Sequence, residues 1–274
     1  MKNTILLVHR AHRFSPNCVE RDAAVLYAIQ QAFEAQNFTV KHVDEEAMTE
    51  EYLRSAPQFI ISMARSKEAL QKLTEWEQQE GNTIWNSAKA VLVNSRAEQT
   101  RRFVLANISI PPTEISDSPH STSLNFPLWV KSGGGDAEKA TDVRYFSCKQ
   151  ELLDATIFEQ SAYVLSEHVE GDLVKFYGVA GTSFFYAYYP TNFSKFGLET
   201  HNGAPRGFAF DRVALQQLAN KAATICDFTL YGGDCIVRSD GTFALIDFND
   251  FPSFAPCAHE AAAAMVEMVE KVLP

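Results

Sequence analysis

The stretch that most constrains this chain is a pair of short apolar runs joined by a tight polar turn. Gly233-Asp234-Cys235-Ile236-Val237 and Phe243-Ala244-Leu245-Ile246-Asp247-Phe248-Asn249-Asp250-Phe251-Pro252 flank Arg238-Ser239-Asp240-Gly241, and Asp-Gly between β-like runs predicts a hairpin. Side chains alternate across a strand, so Asp247 and Asn249 share one face of the second strand, and Asp234 can lie opposite them. Polar residues on a hairpin ordinarily face solvent. Here Asp247, Asn249 and Asp250 interrupt an aromatic and aliphatic run, where an unpaired buried carboxylate is costly. The expectation is a cluster of hard oxygens suited to Mg²⁺, which takes one or two carboxylates and completes its shell with water and phosphate oxygens.

A chain of 274 residues suits two or three lobes. Its net charge of −10 opposes nonspecific nucleic-acid binding and a general affinity for anionic membranes, while local basic clusters can still hold an anionic ligand. The expected partner is therefore a small anionic substrate, with no nucleic acid and no membrane; a homodimer is left open. Ile5 to Val8 is far shorter than a signal peptide's apolar region or a membrane span, which leads to the expectation of a soluble cytoplasmic protein. Cys18, Cys148, Cys226, Cys235 and Cys257 are scattered and odd in number, without a C-x-x-C pair, so neither a disulfide framework nor a zinc site is expected.

Along the chain, Ile5-Leu6-Leu7-Val8 reads as a strand buried on both faces of a parallel sheet. The basic loop His9-Arg10-Ala11-His12-Arg13 then leads into a helix from about Cys18 to Gln36, with Leu26, Ile29 and Phe33 inward. Strands at Phe38 to Val43 and Gln58 to Met63 and a helix from Lys67 to Glu80 complete an α/β pattern, in which ligands collect at the carboxyl ends of strands. That placement makes His9, Arg10, His12, Arg13 and Arg65 either an anion-binding rim or solvated loop charges. Beyond it, Ser95 and Glu98 stand at capping-box spacing on a helix ended by Pro111 and Pro112. Phe126 to Lys131 reads as a strand, followed by Ser132-Gly133-Gly134-Gly135-Asp136, a backbone able to approach phosphate closely. A helix near Lys149 to Thr156, a strand ending in Glu167-His168-Val169-Glu170-Gly171, and an antiparallel pair at Leu173 to Val179 and Ser183 to Tyr189 come next. A polar loop from Asn192 to Gly207, a helix opened by Asp211, the hairpin and a last helix from Ala258 to Val272 close the chain.

Taken in order, the motifs from about Asn94 to Phe254 resemble the ATP-grasp superfamily: the helix with Arg101-Arg102 and its Ile110-Pro111-Pro112-Thr113 turn, the Lys131 strand, the glycine run, Glu167 to Gly171, and Gly233-Asp234 with Ile246-Asp247-Phe248-Asn249. The resemblance implies an ATP-grasp fold, α/β and α+β, with a Rossmann-like pre-ATP-grasp lobe over 1–93, a central subdomain over 94–165 and a C-terminal subdomain over 166–274. It implies that Lys131, with Arg101 or Arg102, holds ATP phosphates; a lysine is commoner where those arginines stand. Glu167 and the backbone at His168 and Val169 would take adenine, Glu170 or Asp172 the ribose, and Asp234, Asp247 and Asn249 the magnesium ion. Lys131 and Lys175 are the candidate catalytic residues, and Arg10, Arg13 and Arg65 the candidate substrate residues.

Most members of the superfamily phosphorylate a carboxylate and let an amine attack the acyl phosphate. Lys175 in Val174-Lys175-Phe176-Tyr177 and the run Ile246 to Phe254 look most like its inositol polyphosphate kinases. Such a substrate demands a dense basic pocket, and the basic clusters here are modest. A ligase acting on a small carboxylate is therefore placed ahead of a small-molecule kinase, and both ahead of a noncatalytic nucleotide-binding protein.

Overall fold

Ile5, Leu6, Leu7 and Val8 offer no polar side chain for a surface, and all four are fully buried in β1 (Thr4–His9) of the computed structural model, which describes residues 4–15, 19–134, 143–155, 162–190 and 201–272. Around β1 run α1 (Val19–Ala35), β2 (Thr39–Asp44), α2 (Glu50–Arg54), β3 (Phe59–Ser62), α3 (Lys67–Glu77), β4 (Thr83–Trp85) and α4 (Ala88–Val93). The four strands form a parallel sheet in the order β2-β1-β3-β4. Alternation divides β1 between two cores. Ile5 and Leu7 pack with Leu26, Ile29 and Phe33 of α1, whereas Leu6 and Val8 pack with Leu70, Leu73 and Trp76 of α3.

Two antiparallel sheets follow. After α5 (Arg96–Leu105), capped by Ser95 Oγ accepting the Glu98 N–H, come β5 (Thr113–Ser116), β6 (Leu128–Ser132), β7 (Val143–Phe146), α6 (Lys149–Asp154) and β8 (Tyr163–Glu167). Their strands order as β5-β8-β6-β7. The third sheet takes β9 (Asp172–Val179), β10 (Phe185–Tyr188), β11 (Leu230–Val237) and β12 (Phe243–Asp250) in the order β10-β9-β11-β12, with α7 (Arg212–Cys226) on one face. The last helix, α8 (Ala258–Val272), returns to pack on α1 and shares the core of the first sheet. Cys18, Gly135, Asp136 and 192–200 of the polar loop lie outside the described residues. No helix among the described residues is long and apolar enough to cross a membrane.

The hairpin is irregular where its chemistry lies. Asp234 pairs with Asp247, but Cys235 pairs with Leu245, which leaves Ile246 as an extra residue in β12. That single insertion resets the alternation. Leu245 and Phe248 both enter the core beneath α7, while Asp247 and Asn249 take the face that carries Asp234 and, across β9, Lys175. Gly233 permits the crossing, because a Cβ there would lie 2.3 Å from the Asp247 carbonyl oxygen.

Candidate active site

Between the second and third sheets lies a cavity of about 360 Å³. Its walls are apolar on two sides, with Val143 and Val164 from one sheet and Leu173, Ile236 and Ile246 from the other. Such a slot suits a flat ring. At one end stand Glu167, His168 and Val169, and at the other Lys131, Asp234, Asp247 and Asn249. Glu167 Oε1 accepts from the Asn125 backbone and side-chain N–H groups, both at 2.9 Å. Trp129 Nε1 donates to His168 Nδ1 at 3.2 Å; burial, then the like charge of His201, lowers the His168 pKa, and Glu170 partly opposes them.

The polar end is built from three strands. The register aligns Lys175, Asp234 and Asp247 in one row, and Lys175 Nζ meets both Asp234 carboxylate oxygens at 3.0 and 2.9 Å. Asn249 Nδ2 donates to Asp247 Oδ2 at 2.6 Å. Lys131 Nζ donates to the Ile246 carbonyl at 2.6 Å, on the residue the bulge sets apart. Burial pushes the Lys131 ammonium down to about 8; Asp247 and Asp234 pull it back up and Arg96 works with burial. A cation held in so dry a place, facing two carboxylates, suits a ligand that brings negative charge with it.

Two carboxylates and one amide oxygen fit a magnesium ion, which leaves coordination positions for water and phosphate. Among the described residues no three His, Cys, Asp or Glu side chains converge as a softer or denser metal site would require.

The structure sorts the candidate binding residues by helical phase and burial. Arg96, Gln99, Thr100 and Phe103 form the face of α5 that lines the cavity. Arg101 and Arg102 point elsewhere and pair with Glu98 at 3.4 and 2.9 Å. Arg96, which the sequence reading passed over, donates to the Ser132 carbonyl at 2.6 Å beside the glycine run. Its signal was present in the 3.6-residue period, since it shares a stripe with Phe103. Of the two ribose candidates, Glu170 is exposed and outside the cavity lining. Asp172 is 1 % exposed and accepts the Arg206 and Phe208 N–H groups at 2.9 Å each. Burial raises its pKa, but those N–H groups with that of Gly207 and the Arg206 charge prevail, and the net shift is downward.

A second cavity, about 310 Å³, shares Arg96, Gln99, Asp247, Phe248 and Asn249 with the first and opens toward Arg65, Lys67 and α4 of the first lobe. Arg65 Nη1 lies 2.6 Å from both Asp250 carboxylate oxygens, and Nη2 donates to the Asp250 carbonyl at 3.2 Å. Arg10 does not line it. Its guanidinium donates to the Met63 and Phe251 carbonyls at 3.4 and 3.5 Å, and burial, then Arg65, lowers its pKa against Asp22, Asp250 and Glu45. Arg13 is exposed and paired with Glu46.

No protein-family model matches the chain, nor does any curated protein sequence. Solved structures do match. A D-alanine–D-alanine ligase from Bacillus anthracis is 12% identical with a TM-score of 0.65, covering 97% of this chain and 96% of its own. The ATP-grasp ligase PsnB, solved with a minimal precursor, is 14% identical with a TM-score of 0.65 and covers 99% of each chain. A RimK domain ATP-grasp protein from Sphaerobacter thermophilus DSM 20745 is 15% identical with a TM-score of 0.66, covering 97% and 99%. Likeness over nearly the whole length of each chain extends from the first parallel sheet to the β11–β12 hairpin, and the fold of this protein is the ATP-grasp fold.

Proposed function

We propose that the protein is an ATP-dependent ligase, which phosphorylates a small carboxylate for attack by an amine. The observation that carries this reading is the meeting of the two cavities at Asp247 and Asn249. Nucleotide would occupy the larger one, its base in the apolar slot by Glu167, His168 and Val169 and its phosphates at Lys131 and Arg96. Asp234, Asp247 and Asn249 would hold Mg²⁺, which would offset the charge that develops on the transferred group. The acceptor would occupy the smaller cavity and offer its carboxylate oxygen to the terminal phosphorus. That P–O bond forms as the bond to ADP breaks. The amine then attacks the acyl carbon, phosphate departs, and the amine loses a proton.

The cations of the smaller cavity favour one carboxylate over several phosphates. Arg96 is engaged with Ser132 and Arg65 with Asp250, while Asp247 and Asp250 add negative charge to the same walls. An inositol polyphosphate would need several bidentate cations there. Lys175, held on Asp234, would stabilise charge on the transferred phosphoryl group.

The deciding experiment is ATP consumption against a panel of carboxylates, amino acids, amines and polyols, with mass spectrometry of the products. A ligase releases ADP and phosphate only when carboxylate and amine are both present. A single acceptor that keeps the phosphoryl group would establish a kinase instead.

A further inference from the structure

One buried carboxylate lies outside both cavities and touches no substrate position. Glu45, just after β2, is 3 % exposed. Its Oε1 accepts the Ala11 N–H at 2.6 Å, and its Oε2 accepts those of Arg65 and Ser66 at 2.9 and 2.8 Å. The donors belong to the loops after β1 and β3, at the carboxyl ends of parallel strands, where α/β proteins gather ligands. A carboxylate removed from water is stable only with such partners, and hydrogen bonds to a charge are the strong ones. The same two amides start the machinery of the smaller cavity. Arg65 extends from one to Asp250 on β12. Ser66 caps α3, accepting the Ala69 N–H at 3.3 Å, so Lys67 opens that helix directly above the clamp.

We propose that Glu45 is a positioning residue for the acceptor: by holding the Arg65 and Ser66 amides, it sets where the Arg65 guanidinium and the Lys67 ammonium meet an acceptor carboxylate. The role rests on the smaller cavity being the acceptor site. Arg65 carries the clamp across to Asp250 on β12, so loosening Glu45 shifts the substrate cations while leaving the nucleotide slot between the second and third sheets intact.

Acetate serves as the probe, titrated into full-length protein with Mg²⁺ and a nonhydrolysable ATP analogue while NMR follows the Arg65 side chain and the Lys67 amide. Wild-type protein is expected to show saturable shifts at both. Glu45→Gln, which replaces an accepting oxygen with a donating NH₂ group, is expected to raise the acetate midpoint about tenfold or more and to move the nucleotide midpoint less than about twofold. Ala11→Pro guards against a folding defect, because it deletes one donor to Glu45 at a φ of −62° that proline adopts; the acetate midpoint should rise there too. Equal acetate midpoints in wild type and both variants, or a nucleotide midpoint that rises as far as the acetate one, overturn the positioning role and leave the cavity assignment standing. A wild-type protein with no saturable shift at Arg65 and Lys67 overturns the cavity assignment, and the role of Glu45 falls with it.

Discussion

Arg96 meets the cavity and its neighbours Arg101 and Arg102 do not, because five or six residues along a helix turn a side chain away from the face it would need. With nucleotide placed as proposed, Arg96→Ala should therefore raise the ATP KM by about tenfold or more through loss of a charged contact to phosphate. Arg101→Ala and Arg102→Ala should change it by less than about twofold, since both pair with Glu98 away from the cavity. Steady-state kinetics on the three variants separates the cases, and an Arg102→Ala effect equal to that of Arg96→Ala would refute the assignment. His168 supplies a pH dependence with a defined sign. Burial first and His201 second lower its pKa, so the neutral ring, which accepts from Trp129, stabilises the fold above the ordinary imidazole value of about 6.5. That contribution is lost as pH falls through the lowered value. The urea midpoint of wild type minus that of His168→Phe should be largest above about pH 6.5 and shrink toward acid; a difference constant with pH would contradict it.

Elements carry this site through their irregularities. In a regular β12, Asp247 would share a face with Leu245, two residues before it, but the extra Ile246 puts two core residues and two cavity-face residues where each is needed. Gly233 is the residue that lets the strands come so close, with the Asp247 carbonyl only 2.3 Å from where a Cβ would stand. Gly233→Ala should cost about 1–3 kcal/mol through the forced backbone shift and weaken Mg·ATP binding in parallel. Chemical denaturation and calorimetric titration of one sample test both, and an unchanged stability would show that the bulge is more pliable than drawn. α5 depends on its cap in a simpler way: Ser95 Oγ accepts the Glu98 N–H at 3.3 Å, and Ser95→Ala should cost about 1 kcal/mol, read as a lower urea midpoint.

At the scale of the whole molecule, a shared core and a buried side-chain clamp add to the Arg65–Asp250 pair in fastening the first lobe to the third sheet. α8 lies on α1 within one shared core. Asn86, 1 % exposed, accepts the Thr229 and Leu230 N–H groups at 2.7 Å each and donates to the Leu230 carbonyl at 2.7 Å. Those backbone groups begin β11, the strand that carries Asp234. Removing the side chain takes the acceptor from the half-buried Thr229 and the buried Leu230 N–H groups, at about 1–3 kcal/mol for a buried group left unsatisfied, while the Leu230 carbonyl keeps the Phe251 N–H. Asn86→Ala should accordingly lower the thermal midpoint by several degrees and loosen the first lobe against β11, visible as faster amide exchange at Leu230; exchange unchanged at that amide would place the tie elsewhere.

Much of this architecture was legible in residue order alone. The continuous apolar run of β1, the period of α1 and α7, the Asp-Gly turn and the alternation that pairs Asp247 with Asn249 are local consequences of chain geometry, so they appear without reference to any distant residue. α2, β4, α4 and β5 left no such mark; they are three to six residues long and are held by neighbours rather than by their own pattern. The same division runs through the site. Composition and spacing singled out a lysine, two carboxylates and an amide as candidates. Only the tertiary structure decided that Arg96 rather than Arg101 or Arg102 faces them, that Asp172 is closed off by the Arg206 to Phe208 backbone, and that Arg65 reaches across the smaller cavity to Asp250. Helical phase, burial and the choice of partner for a long charged side chain depend on what the rest of the chain brings alongside, and that is set only once the three sheets have packed.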